Sequence, residues 1–130
     1  MYSIAVMAPA GLVEVTLGGL MTVEEVVNYI RDLKAAFVRH RLRSYAFILD
    51  VAACPIQQQD MLQSMGAHMV TMPKARAIAV VTGSSLARMQ IRRLFIQPYA
   101  RITTNMADAR AWVLDGIEPP NSAVMSSGQL

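Results

Sequence analysis

The stretch Ser44-Tyr45-Ala46-Phe47-Ile48-Leu49-Asp50-Val51-Ala52-Ala53-Cys54-Pro55 constrains the fold of this chain more than any other. Residues 45–49 are apolar with no two-residue alternation, the pattern of a strand covered on both faces. Asp50 interrupts that run, and Pro55 suits the first position of a helix, where a missing N–H costs nothing. Residues 51–54 then form the turn from strand to helix. A strand buried on both sides that launches a helix implies a sheet flanked by helices, and in such sheets ligands and partners bind at the carboxyl ends of the strands.

The rest of the chain supplies the neighbours of this strand. Residues 2–7 and 12–17 flank the turn-rich Ala8-Pro9-Ala10-Gly11, and Val13, Val15 and Leu17 alternate with Glu14 and Thr16, as in a β-hairpin. Thr22-Val23-Glu24-Glu25 is a capping box that starts a helix at Val23. Val23, Val26, Val27, Ile30, Leu33, Phe37 and Val38 form its apolar stripe, Asp32 belongs to its polar face, and Arg39 and His40 complement its negative pole. After Pro55, Met61, Leu62, Met65, Met69 and Met72 recur at three- and four-residue steps, predicting a methionine-rich helix that Pro73 stops.

Residues 77–81 form a second buried strand. Ser84 or Ser85 caps a helix with Ala87, Ile91, Leu94 and Phe95 inside and Arg88, Arg92 and Arg93 outside. A short strand follows at 101–104. Asn105, with Asp108 three residues on, caps a last helix that turns Ala109, Trp112 and Val113 inward and stops at Gly116. The pattern predicts an α/β fold: a single mixed sheet of roughly five strands with four helices, an N-terminal hairpin followed by a parallel β-α-β-α-β part. Residues 1–116 form the domain, and the Pro-, Ser- and Gly-rich residues 117–130 read as a flexible tail.

Composition narrows the function classes. With 54% hydrophobic and 16% charged residues the chain is globular and somewhat apolar, which suggests a surface that a partner or ligand covers. No apolar run has the length of a membrane span, and no basic residue precedes the weakly apolar start as in a signal peptide. The single cysteine, Cys54, excludes an internal disulfide and fits a cytoplasmic location. A net charge of +3, with the aromatics at core-like positions, argues against nucleic-acid binding.

The order of elements, with Gly18-Gly19-Leu20-Met21-Thr22 before the first helix, Ile48-Leu49-Asp50-Val51 in the central strand, Ala77-Ile78-Ala79-Val80-Val81 in the next and Ala109-Arg110-Ala111-Trp112-Val113-Leu114 at the end, resembles the SpoIIAA-like family. These are small bacterial relatives of STAS domains, grouped by shape with the CRAL-TRIO lipid-binding class. The resemblance runs from Tyr2 to Gly116 and implies a non-enzymatic regulatory or ligand-binding module. The anti-sigma-factor antagonists of the STAS group carry a phosphorylated serine after the strand aspartate. Here the turn reads Val51-Ala52-Ala53-Cys54-Pro55-Ile56, with no hydroxyl to accept a phosphoryl group.

Each candidate for chemistry has a plainer reading beside it. Cys54 precedes a helix whose first amides could stabilise a thiolate, but neither histidine is near it in sequence, and a small apolar residue explains it as well. Asp50 could act as a base or contact a partner, or merely cap the next helix. Two separated histidines and one cysteine show no metal-ligand spacing, and no cofactor motif is present. Arg88, Arg92 and Arg93 form a basic patch that could meet an anion or simply face solvent.

The methionines at Met61, Met65, Met69 and Met72, beside a polar lip that includes Gln58, make an adaptable wall, either core filler or a surface for a partner or apolar ligand. The expected function is a non-enzymatic interaction module that forms a homodimer or binds another protein through this region. The alternative is a carrier or sensor of an apolar or amphipathic molecule.

Overall fold

The structure, a computed structural model, describes residues 1–19, 21–53 and 74–120. Strand β1 (Tyr2–Met7), a 3-10 turn (Ala8–Ala10) and strand β2 (Leu12–Gly18) lead into helix α1 (Val23–Arg39) and strand β3 (Ala46–Ala53). Strand β4 (Ala77–Val81), helix α2 (Ser85–Leu94), strand β5 (Ala100–Thr103) and helix α3 (Met106–Asp115) follow. The strands form one five-stranded sheet in the order β1-β2-β3-β4-β5. The fold is thus α/β with a mixed sheet and, among the described residues, three helices. The expected methionine helix lies outside the described residues.

β1 is antiparallel to β2, whereas β2, β3, β4 and β5 are all parallel. The parallel set is therefore one strand larger than the sequence pattern suggested, because α1 carries the chain from β2 back to pair β3 in parallel. With strands added in one direction and crossovers of one hand, the crossover helices fall on one face. Residues of α1 and Ile91 of α2 accordingly share one core with Val13, Val15, Phe47, Leu49, Ile78 and Val80. α3 follows the last strand, is not a crossover, and folds back over the opposite face. Ala109 and Val113 meet Ala46, Ile48, Ala77, Ala79 and Val81 there, and the small alanines let the helix sit close.

Local signals decide the helix ends. Thr22 and Glu25 make the reciprocal capping box, Ser84 accepts from the Ala87 amide at 3.2 Å, and Asn105 accepts from the Asp108 amide at 2.8 Å. Gly116 closes α3 at φ 70°, in the left-handed region that only glycine enters freely. Gly11 serves the hairpin turn similarly: φ is 61°, and a Cβ there would meet an Arg76 guanidinium nitrogen at 3.0 Å and the Ser44 carbonyl at 3.2 Å. That guanidinium donates to the carbonyls of Ser44 and Ala10, tying the hairpin to the start of the central strands.

Three expectations change. β3 does not end at Asp50 but runs to Ala53, since Gly18 pairs with Ala53 beyond a register shift in β2 and the Gly19 amide reaches the Ala53 carbonyl. In α1 the buried residues are Val26, Tyr29, Ile30, Leu33 and Phe37, while Val23, Val27 and Val38 are exposed. The sheet accepts a stripe narrower than the apolar one, and Tyr29 takes the place beside Tyr2, with ring centroids 5.7 Å apart. Arg88, expected outside, is half-buried; Arg92 and Arg93 are exposed.

Candidate functional site

The sequence places its candidate surface at the methionine-rich segment and at Asp50, on the carboxyl edge of the parallel strands. Asp50 lies there, half-buried, in register with Thr16 and Val81. Its Oδ1 accepts from the Ala52 amide at 3.0 Å, a local bond within the last residues of β3. Thr82 Oγ1 accepts from the Ser84 amide, and Thr103 Oγ1 donates to the Asn105 carbonyl. The polar side chains described along this edge thus brace their own loops and caps. Cys54, Gln58, Met61, Met65, Met69 and Met72 lie outside the described residues. Arg88, Arg92 and Arg93 share α2, with Arg92 and Arg93 in its last turn, where cations complement the helix dipole. Among the described residues no three His, Cys, Asp or Glu side chains gather as metal ligands, and no helix is long and apolar enough to cross a membrane.

A second location emerges along the β1 edge of the sheet, beside helix α1. A groove of about 440 Å³ runs between the edge strand β1 and helix α1. Its floor is Tyr2, Ser3, Ile4 and Val6; its wall is Asp32, Ala35 and Ala36, then Arg39 and His40. The wall residues recur at steps of three and four, so one helix face supplies them all. α1 runs antiparallel to β2 as a crossover and therefore alongside β1 in the same sense. The groove accordingly has an acidic end at Asp32 and a basic end at Arg39 and His40.

Among the described residues this edge is open. Met1 and Gly18 exchange both backbone hydrogen bonds, at 2.8 and 3.0 Å. In an antiparallel ladder such pairs alternate, so Met1, Ser3, Ala5 and Met7 turn their N–H and C=O groups toward β2. Tyr2, Ile4 and Val6 turn theirs outward, along the groove, and their side chains lie half-buried against the α1-side core. The Tyr2 hydroxyl donates to Asp32 Oδ2 at 2.5 Å, and this bond, with burial and the Asp32 charge, raises the tyrosine pKa. Deeper in the same core, burial pushes the Tyr45 hydroxyl up to about 12 and the Tyr29 hydroxyl higher still, so both are neutral packing groups.

Part of this groove is written in the sequence of β1. β1 alternates Tyr2, Ile4 and Val6 with no charged residue and no proline, the mark of an unguarded strand. Asp32, Arg39 and His40 were each explained within the helix, and only the lie of α1 along β1 brings them together. No protein-family model matches this chain, and no curated protein matches its sequence.

Proposed function

We propose that the chain is a non-enzymatic protein-interaction module of SpoIIAA-like, STAS-related type that takes an extended protein segment along β1. The observation that carries this reading is the coincidence of an open strand edge with a groove of about 440 Å³ beside it. An added strand gains main-chain hydrogen bonds from Tyr2, Ile4 and Val6, and alternate side chains of the incoming segment enter the groove under α1. The SpoIIAA-like resemblance of the sequence implies a regulatory role and not a catalytic one, and the described strands and helices follow one another in the order that it implies. The carboxyl edge supports the same role: its described polar side chains bond their own loops and strand end, and the sequence from Val51 to Ile56 offers no hydroxyl for a phosphoryl group.

The competing reading, a carrier of an apolar or amphipathic molecule walled by the methionine-rich segment, makes a different demand on mass. Native mass spectrometry of the chain purified from cells separates the two. A noncovalent complex with protein, whether a copy of itself or another chain, is the expected result. A bound mass in the lipid range on a single chain would establish the carrier instead, and a bare single chain would defeat both.

A further inference from the structure

We infer that the segment received by this groove is β1 of a second copy of the chain, laid antiparallel about a two-fold axis at Ile4, so that two five-stranded sheets become one continuous sheet. The inference rests on the interaction-module reading and names its partner.

The backbone selects the register. With Ile4 opposite the partner's Ile4, Tyr2 stands opposite the partner's Val6, and all three outward-facing residues of each strand exchange hydrogen bonds. Sliding one strand by two residues leaves one of the three without a partner. Sliding it by one sets outward-facing groups against inward-facing ones. β1 is thus self-complementary about its own centre, as a two-fold interface requires.

The side chains agree with the backbone. Ile4 and Val6 are aliphatic and half-buried, and Ala35 and Ala36 at the middle of the groove wall are small enough to admit the neighbouring strand's side chains. The charges agree as well. Asp32 lies near the Tyr2 end of the groove, bonded to that tyrosine, and Arg39 lies toward the Val6 end. The two-fold reverses direction, so the acidic end of each groove faces the basic end of the other. Their spacings match: seven helical residues from Asp32 to Arg39 rise about 10 Å, and four strand residues from Tyr2 to Val6 span about 13 Å. Among the described residues Arg39 forms no ion pair within the chain, and the Arg31–Asp32 pair at 3.5 Å is exposed, so the Arg39 guanidinium is available to the partner's Asp32.

Light scattering of the full chain over a dilution series, with residue-resolved amide exchange, tests the inference. The chain is expected to be a dimer. The amides of Tyr2, Ile4 and Val6 should be protected when it is concentrated and exchange freely when it is dilute, while Ser3 and Ala5, bonded to β2, stay protected throughout.

Ile4→Pro removes a donor that faces away from β2, so the hairpin ladder survives, and the dimer should weaken at least about tenfold. Because proline can also disturb the strand itself, a charge exchange gives an independent reading. Asp32→Arg and Arg39→Asp should each weaken self-association, and mixing the two variants should restore a mixed dimer, which a purely structural effect would not do.

A monomer at every concentration, or a dimer whose Tyr2, Ile4 and Val6 amides exchange freely, overturns the inference. Either leaves the interaction-module reading standing if native mass spectrometry finds a protein bound, and that reading falls separately if the bound mass is a lipid.

Discussion

The two edges of the sheet are built in opposite ways. β5 has four residues, and half of its outward-facing groups, the amide and carbonyl of Ala100, are used within the chain. Tyr99 and Thr103 give their carbonyls to β4, so Ala100 and Ile102 are the residues that face away. The Ala100 amide donates to the Gln97 carbonyl, and the Ala100 carbonyl accepts from Arg101 Nη1 at 2.9 Å. Arg101 also binds the Pro98 carbonyl, pairs with Glu118, and lies over the Trp112 ring with its guanidinium carbon 4.2 Å from the centroid.

β1, by contrast, has six residues, no charge, and three residues whose outward groups have no such guard among the described residues. Proteins protect strand edges because an open one pairs with whatever strand arrives. One edge of this molecule is partly covered by its own chain, and the other, among the described residues, is not.

The strongest way to break the contrast is to remove the residue on which the closed edge rests. Trp112 Nε1 donates to the carbonyls of both Ile78 and Tyr99 at 3.1 Å, and its ring supports Arg101. Trp112→Ala should cost about 3 kcal/mol of unfolding free energy, measured by urea denaturation. Amide exchange should rise in β5 and the start of α3 and stay unchanged in β1. Equal loosening of both edges would mean that α3 braces the whole sheet and that the β5 edge has no guard of its own.

A milder change sharpens the contrast. Arg101→Ala should cost about 1 kcal/mol, since it loses a partly exposed ion pair and two hydrogen bonds to carbonyls. The larger consequence is associative. With the Ala100 carbonyl released, the chain would have two open edges, and light scattering should find species larger than the wild-type assembly. An unchanged size distribution would show that the shortness of β5 is protection enough.

How legible all this was in the sequence depended on how far apart the interacting residues lie. The capping box at Thr22 and Glu25, the Asn105 cap and the Gly116 stop were readable because each is decided within a few residues. The end of β3 was not, since Ala53 stays in the strand through its pairing with Gly18, some thirty-five residues earlier by count of the sequence. Nor could the apolar pattern of α1 choose between Tyr29 and the valines at 23, 27 and 38; the sheet beneath the helix makes that choice. The groove needs three such facts together: β1 at the edge, α1 alongside it, and outward groups on Tyr2, Ile4 and Val6. Asp50 stands at the strand end where α/β proteins commonly place chemistry, and its carboxylate accepts from the Ala52 amide of its own strand.

The smallest expected effect lies at the start of the open edge. The N-terminal amine donates to Glu25 Oε2 at 2.8 Å and to the Gly18 carbonyl at 3.0 Å, while Glu25 Oε1 accepts from the Thr22 amide. The hydrogen bond to the amine, then that to the Thr22 backbone, holds the Glu25 carboxyl below its ordinary value of 4.5. The unfolded chain therefore takes up this proton first on acidification. The stabilisation is fully present above about pH 4.5 and is lost as the pH falls through the lower folded value. Since the pair is exposed, fraying should stay local. After correction for intrinsic exchange, protection of the Gly18 amide, which donates to the Met1 carbonyl, should fall with pH, while that of the Thr82 amide, which donates to β5, should hold. Glu25→Gln should remove most of the difference between the two amides. If the Gly18 amide instead keeps its protection through acid, the hairpin ladder alone fixes the start of β1, and the open edge is as rigid there as the closed one.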